Sequence, residues 1–117
     1  MAQEYKHKRY FRIRLTDNSL VTFSSTSDAN TKISFKSEWT TNSPTTTDVL
    51  EDSGQTLVKT FEFDSDSDQT GFKSAIDAIW AEGLSPWNGD DSTQTVEHFK
   101  TEWIDEDGTS VGETVNL

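Results

Sequence analysis

Early in the chain, apolar residues fall at every second position, the two-residue period of a half-buried strand. In "RYFRIRLTDNSLVTFSS", Phe11, Ile13 and Leu15 alternate with Tyr10, Arg12 and Arg14, so one face is apolar and the other basic. Turn formers occupy Thr16 to Ser19, and Leu20, Val21 and Phe23 open a second strand, which completes a predicted hairpin. A third strand is predicted at "KISFKSEW", with Ile33 and Phe35 on one side and Lys32, Ser34, Lys36 and Glu38 on the other. Residues 41–55 are polar, Thr-rich and punctuated by Pro44 and Gly54. They read as a long, mobile loop, pinned to the body at Val49 and Leu50.

Strict alternation returns in "TLVKTFEFDS", where Leu57, Lys59, Phe61 and Phe63 share a side. The period then changes to that of a helix. Phe72, Ala75, Ile76, Ile79, Trp80 and Gly83 form one stripe at i, i+3, i+4, i+7, i+8 and i+11. Gly83 and Pro86 mark where this helix stops. Two closing strands surround an "EDG" turn, Glu106 to Gly108, with Phe99 and Trp103 in phase. The expected fold is α+β. It is a mostly antiparallel sheet of about six strands, in the order β-β-β-β-α-β-β, packed on or curled around a single amphipathic helix.

Composition narrows this picture. A chain of 117 residues fits one domain over residues 1–117. Only 31% of residues are hydrophobic, which predicts a thin core carried by seven Phe and four Trp. There is no cysteine, which removes disulfides, thiolate metal sites and cysteine nucleophiles. The N-terminus lacks the apolar run of a secretory signal, and no window holds the 18 apolar residues of a membrane span. A soluble cytoplasmic or virion-associated protein without a membrane partner is therefore expected.

The net charge of −11 is unevenly placed. Residues 1–14 carry five cations and one carboxylate, a net of +4, which leaves −15 on the remaining 103. That anionic body disfavours a nucleic-acid target, because phosphate is repelled over most of the surface. The basic end has three outlets: the chain's own acidic body, a neighbouring copy, or a separate anionic partner.

Candidate chemistry is sparse. "DSDSDQTG" places Asp64, Asp66 and Asp68 at the first three ligand positions of a calcium loop. Gln69 stands where the loop needs Gly, and Ala75 where it needs a bidentate Glu. These aspartates are thus weak metal candidates, and they read better as the cap of the following helix, at Asp66 or Asp68. His7 is expected in a frayed or edge-bound terminus. His98, opposite in phase to Phe99, is expected to face solvent or to make a cross-strand hydrogen bond. With no nucleophile elbow and no phosphate loop, neither a catalytic site nor a cofactor is expected.

Binding surfaces are the better prospect. Lys8, Tyr10, Arg12 and Arg14 line the first strand, read as a possible sheet edge, while Trp39 and Trp87 lie in loop-like contexts that suit exposed anchors. The leading expectation is a non-enzymatic binding or assembly module that meets a protein partner or its own copies through strand edges and exposed aromatics. In composition alone, acidic, Ser/Thr-rich and Cys-free with short hairpins, the chain resembles many small structural or accessory proteins of bacteriophages. Two alternatives remain open: an acidic nucleic-acid mimic that inhibits a DNA-binding enzyme through "DSDSD", "GDDS" and "IDEDG", and a weak divalent-cation-binding module.

Overall fold

The computed structural model describes residues 6–104 and 110–113, with 66, 103, 104 and 110–113 described by backbone alone. The elements run β1 (Lys6–Leu15), α1 (Thr26–Ile33), a 3-10 turn (Ser37–Thr40), β2 (Thr45–Glu51), a second 3-10 turn (Asp52–Gly54), β3 (Thr56–Glu62), α2 (Asp66–Ala81), β4 (Gln94–Ile104) and β5 (Ser110–Glu113). The strands form one sheet in the order β2-β3-β1-β4-β5, with every neighbour antiparallel. Each long helical connection skips one strand: α1 carries the chain from β1 past β3 to β2, and α2 carries it from β3 past β1 to β4. That interleaving is the split β-α-β, ferredoxin-like arrangement, extended here by β5.

The α+β class and the antiparallel sheet match the sequence reading, but the element count does not. Among the described residues there are five strands, and α1 joins α2 as a second helix. The second arm of the expected hairpin is reduced to an isolated bridge, Arg14 to Leu20. The strand expected from Lys32 to Trp39 is instead the end of α1 and the first 3-10 turn. α1 starts because the Ser25 hydroxyl accepts from the Asp28 N–H at 3.1 Å, and it ends at Ser34, in the left-handed region at φ 56°. It buries only Ala29 and Ile33, one turn apart. The polar stretch 41–55 is not a long loop, because β2 occupies its centre. Its threonines are β-branched, and they pair residue for residue with β3.

Both helices lie on the same side of the sheet. Phe11 and Ile13 of β1, Leu57 and Phe61 of β3 and Val96 of β4 share one apolar cluster with Ala29 and Ile33 of α1 and Phe72 and Ile76 of α2. Trp39 and Trp87 complete it, at 4% and 3% exposure. Their expected role as exposed anchors is therefore overturned. Each indole N–H has a fixed acceptor, the Pro86 carbonyl for Trp39 at 2.6 Å and the Asp90 carboxylate for Trp87 at 3.0 Å. Trp39 stacks on Phe61 with ring centres 5.7 Å apart, and Trp87 meets Trp80 edge-on at 5.4 Å. Aromatic contacts of this kind let a chain with few aliphatic residues close a core.

α2 follows its predicted stripe, with Phe72, Ile76 and Ile79 buried. Its stop is a Schellman motif: Gly83, at φ +76°, donates to the Trp80 carbonyl, and Leu84 donates to Ile79. β4 departs from simple alternation. Phe11 lies opposite His98 and Tyr10 opposite Lys100, so Phe99 is an extra residue, a β-bulge. Val96 and His98 face the core before the bulge and Thr101 faces it afterwards, while Phe99 stays on the other side beside Tyr10.

Candidate interaction surface

With both helices on one face, the opposite face of the sheet carries no helix among the described residues. Residues 6, 8, 10, 12 and 14 of β1 line its middle, all of them partly exposed. The basic stripe Lys8, Tyr10, Arg12 and Arg14 thus sits together as expected, but on the central strand and not on an edge. An edge role for β1 is excluded, since β3 pairs one side of it and β4 the other.

Most of this charge is answered within the molecule. Arg12 donates to Glu97 at 2.6 Å and Arg14 donates to the same carboxylate at 3.1 Å. Partial burial pushes Glu97 up, but hydrogen bonds from Arg14 and Arg12 outweigh it and hold the carboxyl below its usual range. Lys100 pairs with Glu102. Burial, then the hydrogen bond to Glu102, pushes the Tyr10 phenol up to about 12. The Arg12 guanidinium lies 4.3 Å from the Phe99 ring centre and the Lys100 ammonium 4.9 Å from that of Tyr10. The two rings are 6.1 Å apart. The result is a flat, ordered patch in which each aromatic ring carries a cation and three of the cations also have a carboxylate.

The sheet order places β2 at one end. Five of its seven residues are exposed, and Val49, at 50%, is one of two large hydrophobic residues left open to solvent among the described residues. Asp48 points to the helix-covered side, where Lys59 donates to it at 3.0 Å and Asn30 at 2.8 Å. This triad ties the end strand to β3 and to α1. Lys59 is 8% exposed and also sits 5.0 Å from the Phe35 ring centre, so its charge is held by one carboxylate and one ring.

The acidic motifs are absorbed by the fold. The cap of α2 is Ser65, not Asp66 or Asp68; its hydroxyl accepts from the Asp68 N–H at 3.2 Å. Asp64 is exposed, Asp68 is half-buried, and the Asp66 side chain lies outside the described residues. No group of three or more His, Asp or Glu suited to a metal ion occurs among the described residues. In "GDDS", Asp90 accepts from Trp87, Ser85 and the Val96 N–H, and Asp91 accepts from Thr93 and Gln94. These carboxylates build the turn into β4. "IDEDG" and the turn at 106–108 fall largely outside the described residues.

Both histidines are core residues, contrary to the expected fraying of His7 and solvent exposure of His98. His7 is 0% exposed and accepts from the Arg9 guanidinium at 3.0 Å. His98 is 2% exposed, stacks on Phe11 at 4.9 Å and lies 3.2 Å from the Thr101 hydroxyl. Burial above all, then the positive charge of Arg9, lowers His7 to about 2 and His98 to about 3. Arg9 is itself buried between Trp39 and Phe72, with ring centres 5.4 and 5.6 Å from its guanidinium carbon. The signal for His7 was present in the sequence, since it continues the Phe11 and Ile13 phase through Arg9. The signal for His98 was masked by the bulge.

No helix among the described residues is long and apolar enough to cross a membrane. Comparison with protein-family models, with curated proteins and with solved structures finds no match to this chain.

Proposed function

We propose that this chain is a non-enzymatic binding and assembly module whose partner is a protein. The observation that carries the reading is the sheet's second face, which no described helix covers and on which the aromatic–cation patch of Tyr10, Phe99, Arg12 and Lys100 is held rigid. Preorganised aromatic and Arg side chains contribute most per residue at protein interfaces, because little side-chain entropy remains to be lost. The non-enzymatic part is supported by the fate of the histidines, which are buried as neutral rings beside Arg9 and offer no accessible base. Composition suggests the setting, a structural or accessory role in a bacteriophage particle.

The test is affinity capture with the wild type and with a Tyr10→Ser, Phe99→Ser double variant, each first shown to melt cooperatively. The reading expects specific partners that the double variant loses. Retention of every partner by the double variant contradicts it.

A further inference from the structure

The end strand β2 carries few of the features by which sheet edges usually avoid pairing, and its one exposed charge, Glu51, is its last residue. Residues 45–51 contain no Lys and no Pro, and their seven-residue ladder with β3 has no bulge. An inward-pointing charge is a further guard, and Asp48 is the candidate. Its carboxylate is compensated by Lys59 at 3.0 Å and bonded by Asn30 at 2.8 Å, so it opposes an incoming strand only where an apolar side chain or a second carboxylate is set directly across from it. Thr45, Thr46, Thr47 and Val49 are β-branched, the residue class that packs best across paired strands.

We infer that β2 pairs antiparallel with β2 of a second copy, about a two-fold axis passing beside Thr47. This rests on the binding-module reading and names the partner. A two-fold normal to the sheet keeps the helix-covered sides of both copies together, which restricts its centre to a residue position on the strand. Centring on Asp48 opposes that carboxylate to its own copy. Centring on Val49 sets Asp48 opposite Leu50 of the second copy. Centring on Thr47 sets Thr45 opposite Val49, Thr47 opposite Thr47, and each Asp48 opposite the hydroxyl of Thr46, a hydrogen-bond donor for an anion. Charge complementarity therefore selects the Thr47 register. The product is a continuous ten-stranded sheet with all helices on one side, and the edge amides of β2 are paired within it.

The test uses the full chain, with light scattering after size exclusion and sedimentation equilibrium from micromolar to millimolar protein. Salt is set at about 0.5 M to screen the repulsion between two anionic copies. Thr47 is exposed on the sheet's open side, so Thr47→Lys and Thr47→Glu keep the fold, which circular-dichroism melting checks. The wild type is expected to dimerise. Each variant alone is expected to weaken the dimer by about tenfold or more, because like charges then face each other across the axis. An equimolar mixture of the two is expected to restore it as a heterodimer. A wild type that stays monomeric, variants that dimerise like the wild type, or a mixture that fails to recover would each overturn the pairing. A monomeric wild type leaves the binding-module reading standing, because that reading fails only on the Tyr10 and Phe99 variant.

Discussion

Acid should destabilise this protein from just below neutral pH, and the two buried imidazoles set the window. His7 and His98 are lowered to about 2 and about 3, from an ordinary value of 6.5 that they regain on unfolding. Between those limits the unfolded chain binds protons that the native chain refuses, so stability rises with pH and is lost as pH falls below about 6.5. Each histidine contributes a slope approaching about 1.4 kcal/mol per pH unit, and at pH 5 the pair removes about 4 kcal/mol. The neighbours sharpen the effect. Arg9 acts on both rings and Lys73 on His7, and each of these cations disfavours the charged imidazole. Glu97, Glu102 and Asp28 are all lowered from values of 4.5 or 3.8, so the stability they contribute is lost mainly below those values, under the pH 6 to 5 interval in which the histidines act. The assay is urea denaturation at pH 7.5, 6.0 and 5.0 on the wild type and on His98→Phe, which keeps an aromatic ring against Phe11. The wild type should lose stability steeply between pH 6 and 5, and the variant at about half that slope. A flat profile, or equal slopes, would refute the burial argument.

Two further outcomes test the packing. Asp48→Ala leaves Lys59 buried without its carboxylate and should cost about 3–5 kcal/mol in urea denaturation, whereas Asp48→Ala combined with Lys59→Met should recover most of the loss. Gly89→Ala sets a Cβ 2.5 Å from the Lys32 carbonyl oxygen and 2.7 Å from that of Ile33, both backbone atoms; a loss of about 1–3 kcal/mol is expected by thermal melting.

The parts of the fold that the sequence revealed are those where one rule acts alone. The alternation of β1 reflects a single buried face, and Phe72, Ile76 and Ile79 keep the α2 stripe, whereas β3 also buries Thr56 and Val58 on its second side. α1 was hidden because its eight residues bury only Ala29 and Ile33, and because Ile33 and Phe35 mimic strand alternation across its end. Its readable signal was the cap, Ser25 with Asp28 three residues on, the same spacing as Ser65 and Asp68 before α2. β2 was hidden because an end strand needs little apolar content; its threonines were a better guide than its polarity. The basic stripe was legible as a face but not in its place, since strand order depends on long-range pairing that no local pattern encodes. Trp39 and Trp87 were misplaced for a related reason. Loops that cross the end of a sheet can carry core residues, and here Pro86 and Asp90 supply the acceptors that let two indoles be buried.

The claim that this chain works through its open sheet face and β2 edge is tested most directly by hydroxyl-radical footprinting. Reactivity would be compared between dilute purified protein and protein in its native assembly. Leu84, on the opposite side at the end of α2 and 53% exposed, serves as the internal reference. The account predicts protection at Tyr10, Phe99 and Val49 with Leu84 unchanged. Equal reactivity of all four residues in both states, or protection confined to Leu84, would contradict it.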